Sequence, residues 1–143
     1  MRRRALLLAP LSLALLGRAQ AKDFNAGSIH ILHPWAAPSA TEAAAMFVAL
    51  RNDGQRPDRL IAASTPVAGA VIFRDRDGTA LDYYDLLPRR PVRLRPGRRY
   101  IALRDLKHPL ALDDGFPLTL RFAEAGSITI AVTVEAGPED ESG

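Results

Sequence analysis

Short apolar runs, each closed by turn-forming residues, recur along the chain from residue 22 onward and leave little room for long helices. The clearest run covers residues 127–134, where isoleucine or valine alternates with threonine or alanine. Such alternation places one face of a strand against a core and the other toward solvent. It predicts that Ile130 and Val132 face the core together with Trp35 or Phe122. The pattern as a whole predicts an all-β chain.

Eight strands are predicted from these runs, and Pro, Gly, Asn and Asp mark the turns between them. They cover residues 28–33, 45–50, 59–63, 69–74, 91–94, 99–103, 117–122 and 127–134. Pro34 is expected to end the first strand, because proline has no N–H to give to a ladder. Residues 39–45 contain helix-forming residues but are too few for more than a brief helical turn. Eight strands in one domain predict a Greek-key sandwich or barrel.

The first 21 residues have the three parts of an export signal. Arginines at positions 2–4 precede an apolar run at 5–16, and Ala19-Gln20-Ala21 supplies the small residues of a cleavage site. We expect cleavage after Ala21 and a periplasmic location. An uncleaved anchor is the alternative, which the apolar run disfavours because a spanning helix needs roughly 20 residues. Residues 22–136 are then predicted to form one domain, and the acidic tail, 137–143, to be disordered.

The basic character of the chain comes from this signal. The formal net charge of +3 includes four arginines within residues 1–21, which hold no acidic residue. Removing those four from the 19 basic residues leaves 15 against 16 acidic residues, a formal charge of −1. The charge therefore gives no reason to expect a nucleic-acid partner.

The residue types present exclude several kinds of chemistry. The sequence contains no cysteine, which excludes disulfides, thiolate metal sites and a cysteine nucleophile within it. It also shows no Gly-x-Ser-x-Gly frame, no phosphate-binding glycine loop and no histidine in a recognisable frame with a nucleophile. We predict that the protein is not an enzyme.

Several segments of the chain occur in the same order and at similar spacings as the sequence motifs of a known family. They are the strand leading into Pro34-Trp35-Ala36, the run 47–60 around Asn52-Asp53-Gly54, the segment 64–68, the turn Leu94-Arg95-Pro96-Gly97 with the following 106–110, and the closing run 118–126. In these segments the chain resembles the periplasmic copper chaperones called PCu(A)C, over nearly all of its length after residue 21. The resemblance implies a cupredoxin-like Greek-key β-sandwich. It also implies a role in periplasmic copper handling and in assembly of the copper centre of cytochrome oxidase.

The family's Cu(I) ligands are two His-x-Met pairs with a methionine between them, because thioether and imidazole suit this soft ion where thiolates are absent. By the resemblance, Arg74-Asp75-Arg76 stands at the first pair, Tyr100-Ile101-Ala102 at the second, and Leu81-Asp82-Tyr83-Tyr84 at the turn between. A guanidinium has no lone pair for a metal and repels it. Met46, the one methionine after the signal, is expected in the core. We therefore expect a degenerate site with no metal and no cofactor.

A metal-independent interaction module is the alternative to copper handling. Its candidate surface consists of Arg74, Arg76, Arg99 and Tyr100. Hydrogen bonds and ion pairs with Asp75 and Asp82 are expected to hold this surface together. The expected partner is a periplasmic protein, with no nucleic acid and no membrane span after signal cleavage.

Residues 89–104 contain seven arginines, at positions 89, 90, 93, 95, 98, 99 and 104. One interpretation is a surface for an acidic partner, an anionic lipid or a phosphate-bearing ligand. The other is a pair of edge strands guarded by charge, in which neighbouring aspartates neutralise the arginines. Both interpretations remain open, and we favour the second.

The three histidines of the chain are the remaining candidate metal ligands. His30 and His33 are three apart on an extended segment, so their side chains should lie on opposite faces. We favour a surface histidine and a histidine packed beside Trp35 over a weak Cu(II) or Zn(II) site. His108, before Pro109, is expected to be a turn residue.

Overall fold

The computed structural model describes residues 23–137, and every regular element in that part is a β-strand. The predicted signal, 1–21, and all but the first residue of the predicted tail lie outside the described residues. The strands are β1 (Phe24–Ala26), β2 (Ile29–Ala36), β3 (Ala44–Asn52), β4 (Asp58–Ser64), β5 (Ala68–Arg74), β6 (Ala80–Leu81), β7 (Tyr84–Leu86), β8 (Val92–Arg93), β9 (Tyr100–Leu106), β10 (Gly115–Phe122) and β11 (Gly126–Val134). The predicted all-β fold is confirmed.

The strands form one continuous sheet that curls into a sandwich. Its order is β6-β5-β9-β3-β2-β11-β10-β4-β7, with β1 added to β2 and β8 added to β3. Paired strands run antiparallel except β11 and β2, which meet in parallel at Thr133↔Trp35 and Val134↔Ala36. Consecutive strands β4 and β5 therefore lie far apart in the sheet order, and this crossover gives the Greek-key topology of a cupredoxin-like sandwich.

The core is built from alternate residues of the long strands. Along β10 the buried residues are Phe116, Leu118, Leu120 and Phe122, and along β11 they include Ile130, Val132 and Val134. Trp35 is 8% exposed. The expectation that Ile130 and Val132 face the core is confirmed. Residues 23–137 contain no helix with the length and hydropathy needed to span a bilayer.

The prediction that Pro34 ends the first strand is wrong, because β2 continues through it to Ala36. The ladder with β3 changes register between Leu32 and Trp35, and His33 adopts a left-handed backbone with φ of 47°. A proline is tolerated where a bulge interrupts the ladder, since no N–H is needed there. The bulge turns Trp35 back onto the sheet beside Phe47, with ring centroids 4.7 Å apart.

The brief helical turn expected near residues 39–45 is absent from the described structure, and β3 already begins at Ala44. The hydroxyls of Ser39 and Thr41 both donate to the carbonyl of Ala43, at 2.6 and 3.1 Å. These local bonds replace those of a helical turn, as short polar side chains often do. The short strands β1, β6 and β7 were not predicted, because two or three residues are too few to show a period.

Asn52 fixes the position of β7 although its side chain is polar and only 1% exposed. Its amide donates to the carbonyls of Arg56 and Leu86, at 2.8 and 2.9 Å, and its side-chain oxygen accepts from the N–H of Gly54 at 2.8 Å. Full hydrogen bonding is what allows a polar group to be buried at little cost. The bond to Leu86 holds the strand that carries Tyr84.

Ile130→Ala should lower the free energy of unfolding by about 2–5 kcal/mol, because the side chain is fully packed and its loss leaves a cavity. Urea unfolding measures this change. The control is Ile61→Ala, the same truncation at a side chain that is 37% exposed, which should cost under about 1 kcal/mol. A loss under about 1 kcal/mol at Ile130 as well would contradict the packing of β11 against the core.

Candidate functional site

The ends of β5 and β9 lie side by side, and Arg74 and Tyr100 are register partners there. Arg74 closes β5 and Tyr100 opens β9. These are the two segments that, by the resemblance, correspond to the family's His-x-Met pairs. The fold therefore brings together the backbone positions that a shared site would require.

The hydroxyl of Tyr84 lies between these two strand ends. It accepts a hydrogen bond from the N–H of Arg74 at 3.0 Å. Its proton faces two carbonyl oxygens, that of Tyr100 at 2.6 Å and that of Arg74 at 2.8 Å. One phenol thus joins β5 and β9 at the position where the ladder ends.

The environment of Tyr84 keeps this hydroxyl protonated. The residue is 1% exposed and its ring packs against Phe73, with centroids 5.1 Å apart. Burial raises the pKa of the hydroxyl to about 12, against a smaller opposing effect of the hydrogen bond with the Arg74 backbone. The guanidinium of Arg99 lies 5.5 Å from the ring centroid, within range of a cation–π contact. The raised pKa therefore extends the range in which the phenol stays protonated, and can donate to the strand ends, to strongly alkaline pH.

The four predicted surface residues occupy different environments. Arg74 is half-buried and its guanidinium donates to the carbonyl of Gly78 at 3.1 Å, so it supports the turn between β5 and β6. Arg76 is exposed, whereas Arg99 and Tyr100 are half-buried. The ion pairs expected with Asp75 and Asp82 are wrong for the described residues, in which none of these arginines forms a salt bridge. Instead of a carboxylate, Arg74 meets the carbonyl of Gly78 and Arg99 lies over the ring of Tyr84.

A hollow of about 480 Å³ opens beside Tyr84. It is lined by Asp75, Ala80, Leu81, Asp82, Tyr83, Tyr84, Asp85 and Arg99. Asp85 is paired with Arg59 at 3.0 Å, and the Arg59 guanidinium stacks 4.1 Å from the ring centroid of Tyr83. The site therefore carries both signs of charge. No group of three histidine or carboxylate residues suited to a metal is found within residues 23–137.

Each of the two neighbouring histidines has its own carboxylate partner. His30 pairs with Asp53 at 2.8 Å and His33 with Glu135 at 3.0 Å. One of the two is expected to pack beside Trp35, and His33 does not do so, because its side chain is 53% exposed. Its left-handed backbone turns the ring outward toward Glu135.

The other two candidate ligands lie where the sequence predicts. Met46 is fully buried, so its thioether belongs to the core. His108 is exposed after the end of β9, with Nδ1 3.0 Å from the carbonyl oxygen of Pro109. Neither lies among the residues that line the hollow beside Tyr84.

Comparison with known families decides the relationship. The LpqE-like family, described as lipoprotein LpqE-like, matches residues 29–134. The chain belongs to the LpqE-like family. Its sequence has no cysteine, so none of the 143 residues could carry a thioether-linked lipid. A search among curated proteins found no match.

Solved structures give the second relationship and confirm the resemblance to PCu(A)C domains. The apo PCuAC domain from PmoF1 is 29% identical, with a TM-score of 0.76 over 81% of this chain and 100% of that one. The copper-bound PCuAC domain from PmoF2 is 29% identical, with a TM-score of 0.75 over 81% and 99%. The Cu(I) form of DR1885 from Deinococcus radiodurans is 19% identical, with a TM-score of 0.64 over 94% and 95%, and this likeness concerns the fold.

Tyr84→Phe should lower the free energy of unfolding by about 1–3 kcal/mol, because it leaves the N–H of Arg74 and the carbonyl of Tyr100 without the hydroxyl that satisfies them. Guanidinium chloride unfolding measures this effect. Tyr83→Phe is the matched control at a neighbouring tyrosine that is 38% exposed, and it should change stability by under about 0.5 kcal/mol. Equal effects of the two substitutions would contradict the bridging role of Tyr84.

Proposed function

We propose that this protein is an exported periplasmic member of the PCu(A)C-like group that keeps the chaperone fold, does not carry Cu(I) at the family's site, and acts as a metal-independent interaction module. It has no catalytic role in this proposal. The observation that carries the proposal is the Tyr84 hydroxyl, which hydrogen-bonds to both strand ends that would present the His-x-Met pairs.

The donor atoms at this position support the absence of Cu(I). Cu(I) favours thioether, thiolate and imidazole ligands. The described residues around the Tyr84 hollow offer guanidinium, phenol, carboxylate and backbone groups instead. Guanidinium carries a fixed positive charge and no lone pair for a metal. The nearest chemical match, the thioether of Met46, is enclosed in the core.

Arginines and tyrosines at the strand ends and in the hollow support an interaction role. Arg76 is exposed, Tyr83 is 38% exposed, and Arg99 and Tyr100 are half-buried. Arginine and tyrosine are enriched at the residues that dominate binding energy in protein interfaces. Because Asp82 and Asp85 lie in the same hollow, the partner surface that fits best carries both basic and acidic groups.

Cu(I) titration against a chromogenic chelator under reducing conditions tests the loss of the ion. We expect this protein to leave the chelator fully loaded, whereas DR1885, whose solution structure is that of the Cu(I) form, should withdraw Cu(I) from it. One equivalent withdrawn by this protein would overturn the proposal. Its disappearance in the His30→Ala, His33→Ala, Met46→Leu variant would then locate the ion at a different site.

Capture of periplasmic proteins tests the interaction role. The double variant Arg76→Gln, Arg99→Gln should lose partners that the wild type retains, while its melting temperature changes by less than about 4 °C, because Arg76 is exposed and the half-buried Arg99 contributes a single cation–π contact. The control is Arg56→Gln, Arg121→Gln, which removes the same charge from exposed positions outside the candidate surface. Identical captured proteins for wild type and both variants would show that this surface is merely solvated.

A further inference from the structure

A second and larger hollow, a groove of about 780 Å³, shares no lining residue with the first. Its apolar floor includes Leu32, Trp35 and Leu94, and its wall includes Arg93, Arg95 and Arg98. We refer to it as the arginine groove. The proposed function above uses none of these residues.

The backbone fixes the wall of the arginine groove. β8 pairs with β3 at Ala49↔Arg93, and the N–H of Leu94 continues this ladder by donating to the carbonyl of Val48 at 2.9 Å. Val92 and Leu94 are buried while Arg93 and Arg95 are exposed. Arg93 and Arg95 therefore project from the same side of an extended segment, about 7 Å apart along it.

A tight turn holds the third arginine. In Arg95-Pro96-Gly97-Arg98 the N–H of Arg98 donates to the carbonyl of Arg95 at 2.8 Å, and Gly97 has φ of 81°. Proline followed by a glycine at positive φ is the sequence of a type II turn. The bond from the N–H of Arg95 to the carbonyl of Arg99, at 3.1 Å, closes the hairpin around this turn. The turn therefore places Arg98 beside Arg93 and Arg95 in the wall of the groove.

The charges of this wall have no internal partner within residues 23–137. None of the salt bridges of that part includes Arg93, Arg95 or Arg98. The groove's own carboxylate, Glu135, is held by His33, with Nε2 at 3.0 and 3.1 Å from its two oxygens. Ion pairs with neighbouring aspartates therefore do not neutralise the part of the arginine run that forms this wall.

The floor adds an apolar anchor point below these charges. The indole of Trp35 packs against Phe47, which fixes its ring, and the bulge at His33 places it at the groove. Aromatic residues beside arginines are typical of the residues that contribute most to protein interfaces. The groove therefore suits a ligand that carries both apolar and anionic groups.

We propose that the arginine groove binds an extended acidic segment of a partner protein, with carboxylates at alternate positions. Side chains two apart on an extended peptide repeat at about 7 Å, which matches the separation of Arg93 and Arg95 along their strand. Each carboxylate can accept two parallel hydrogen bonds from a guanidinium. The intervening apolar side chains of the segment face Trp35. This site is additional to the proposed function and is independent of it.

Trp35 supplies the readout, because it is the one tryptophan of the protein and it lines the groove. The probe is an acetylated, amidated hexapeptide in which glutamate alternates with leucine, titrated at about 0.15 M salt. We expect a saturable change in tryptophan emission. The variant Arg93→Gln, Arg95→Gln, Arg98→Gln should raise Kd at least about tenfold, because it removes the charge-assisted hydrogen bonds.

The matched control is Arg89→Gln, Arg90→Gln, Arg104→Gln, which removes the same charge from exposed positions outside the groove. This variant should keep Kd within about twofold of wild type, since distant rim charges affect binding weakly. Both variants are checked for an unchanged melting temperature. The variant Arg76→Gln, Arg99→Gln should also bind the peptide normally, which separates this test from that of the proposed function.

Three results would overturn the proposal. Equal weakening by both triple variants would show attraction by net charge alone. Equal binding of a hexapeptide with three contiguous glutamates would refute the spacing. An emission change of the same size and arginine dependence with phosphatidylglycerol vesicles would assign the groove to a membrane surface.

Discussion

Burial of alternate residues along β10 and β11 is the constraint on which the rest of the fold depends. These strands pair over eight residues, from Gly115↔Thr133 to Phe122↔Gly126. A slip of one residue would turn the buried face of either strand toward solvent, so the apolar pattern fixes the register. With no disulfide and no helix in the described part, the packing of this sheet on itself is the main source of stability.

At one end of this sheet, a tyrosine hydroxyl supplies hydrogen bonds that the ladder between β5 and β9 does not provide. Arg74 and Tyr100 are the last register pair of β5 and β9, and the N–H and carbonyl of Arg74 and the carbonyl of Tyr100 bond to a side chain. The hydroxyl of Tyr84 satisfies them from a third strand. A metal joining the same segments would need side-chain ligands aimed inward, whereas the phenol uses only backbone groups. Arginine and tyrosine side chains at these strand ends are therefore compatible with an intact fold.

The sequence predicts the long strands well because each of them shows a period of two against a continuous core. It fails where a single local interaction decides the outcome. Pro34 sits at a bulge that no pattern of apolar residues reveals, and the hydroxyls of Ser39 and Thr41 replace a helical turn through bonds to one carbonyl. The sequence marks Tyr84 only as part of the segment 81–84, since nothing in sequence order shows that its hydroxyl reaches residues ten and sixteen positions away.

The turn before β9 explains how one run of arginines reaches two hollows. Arg98 lines the arginine groove and Arg99, the next residue, lines the hollow beside Tyr84. Both residues precede β9, which begins at Tyr100, so the chain that leaves the type II turn at Pro96-Gly97 borders the two hollows one after the other. The hydrogen bond from the N–H of Arg95 to the carbonyl of Arg99 joins the two sides of this turn, so Arg98 at the groove and the Arg99 cation over the Tyr84 ring are held by the same hairpin.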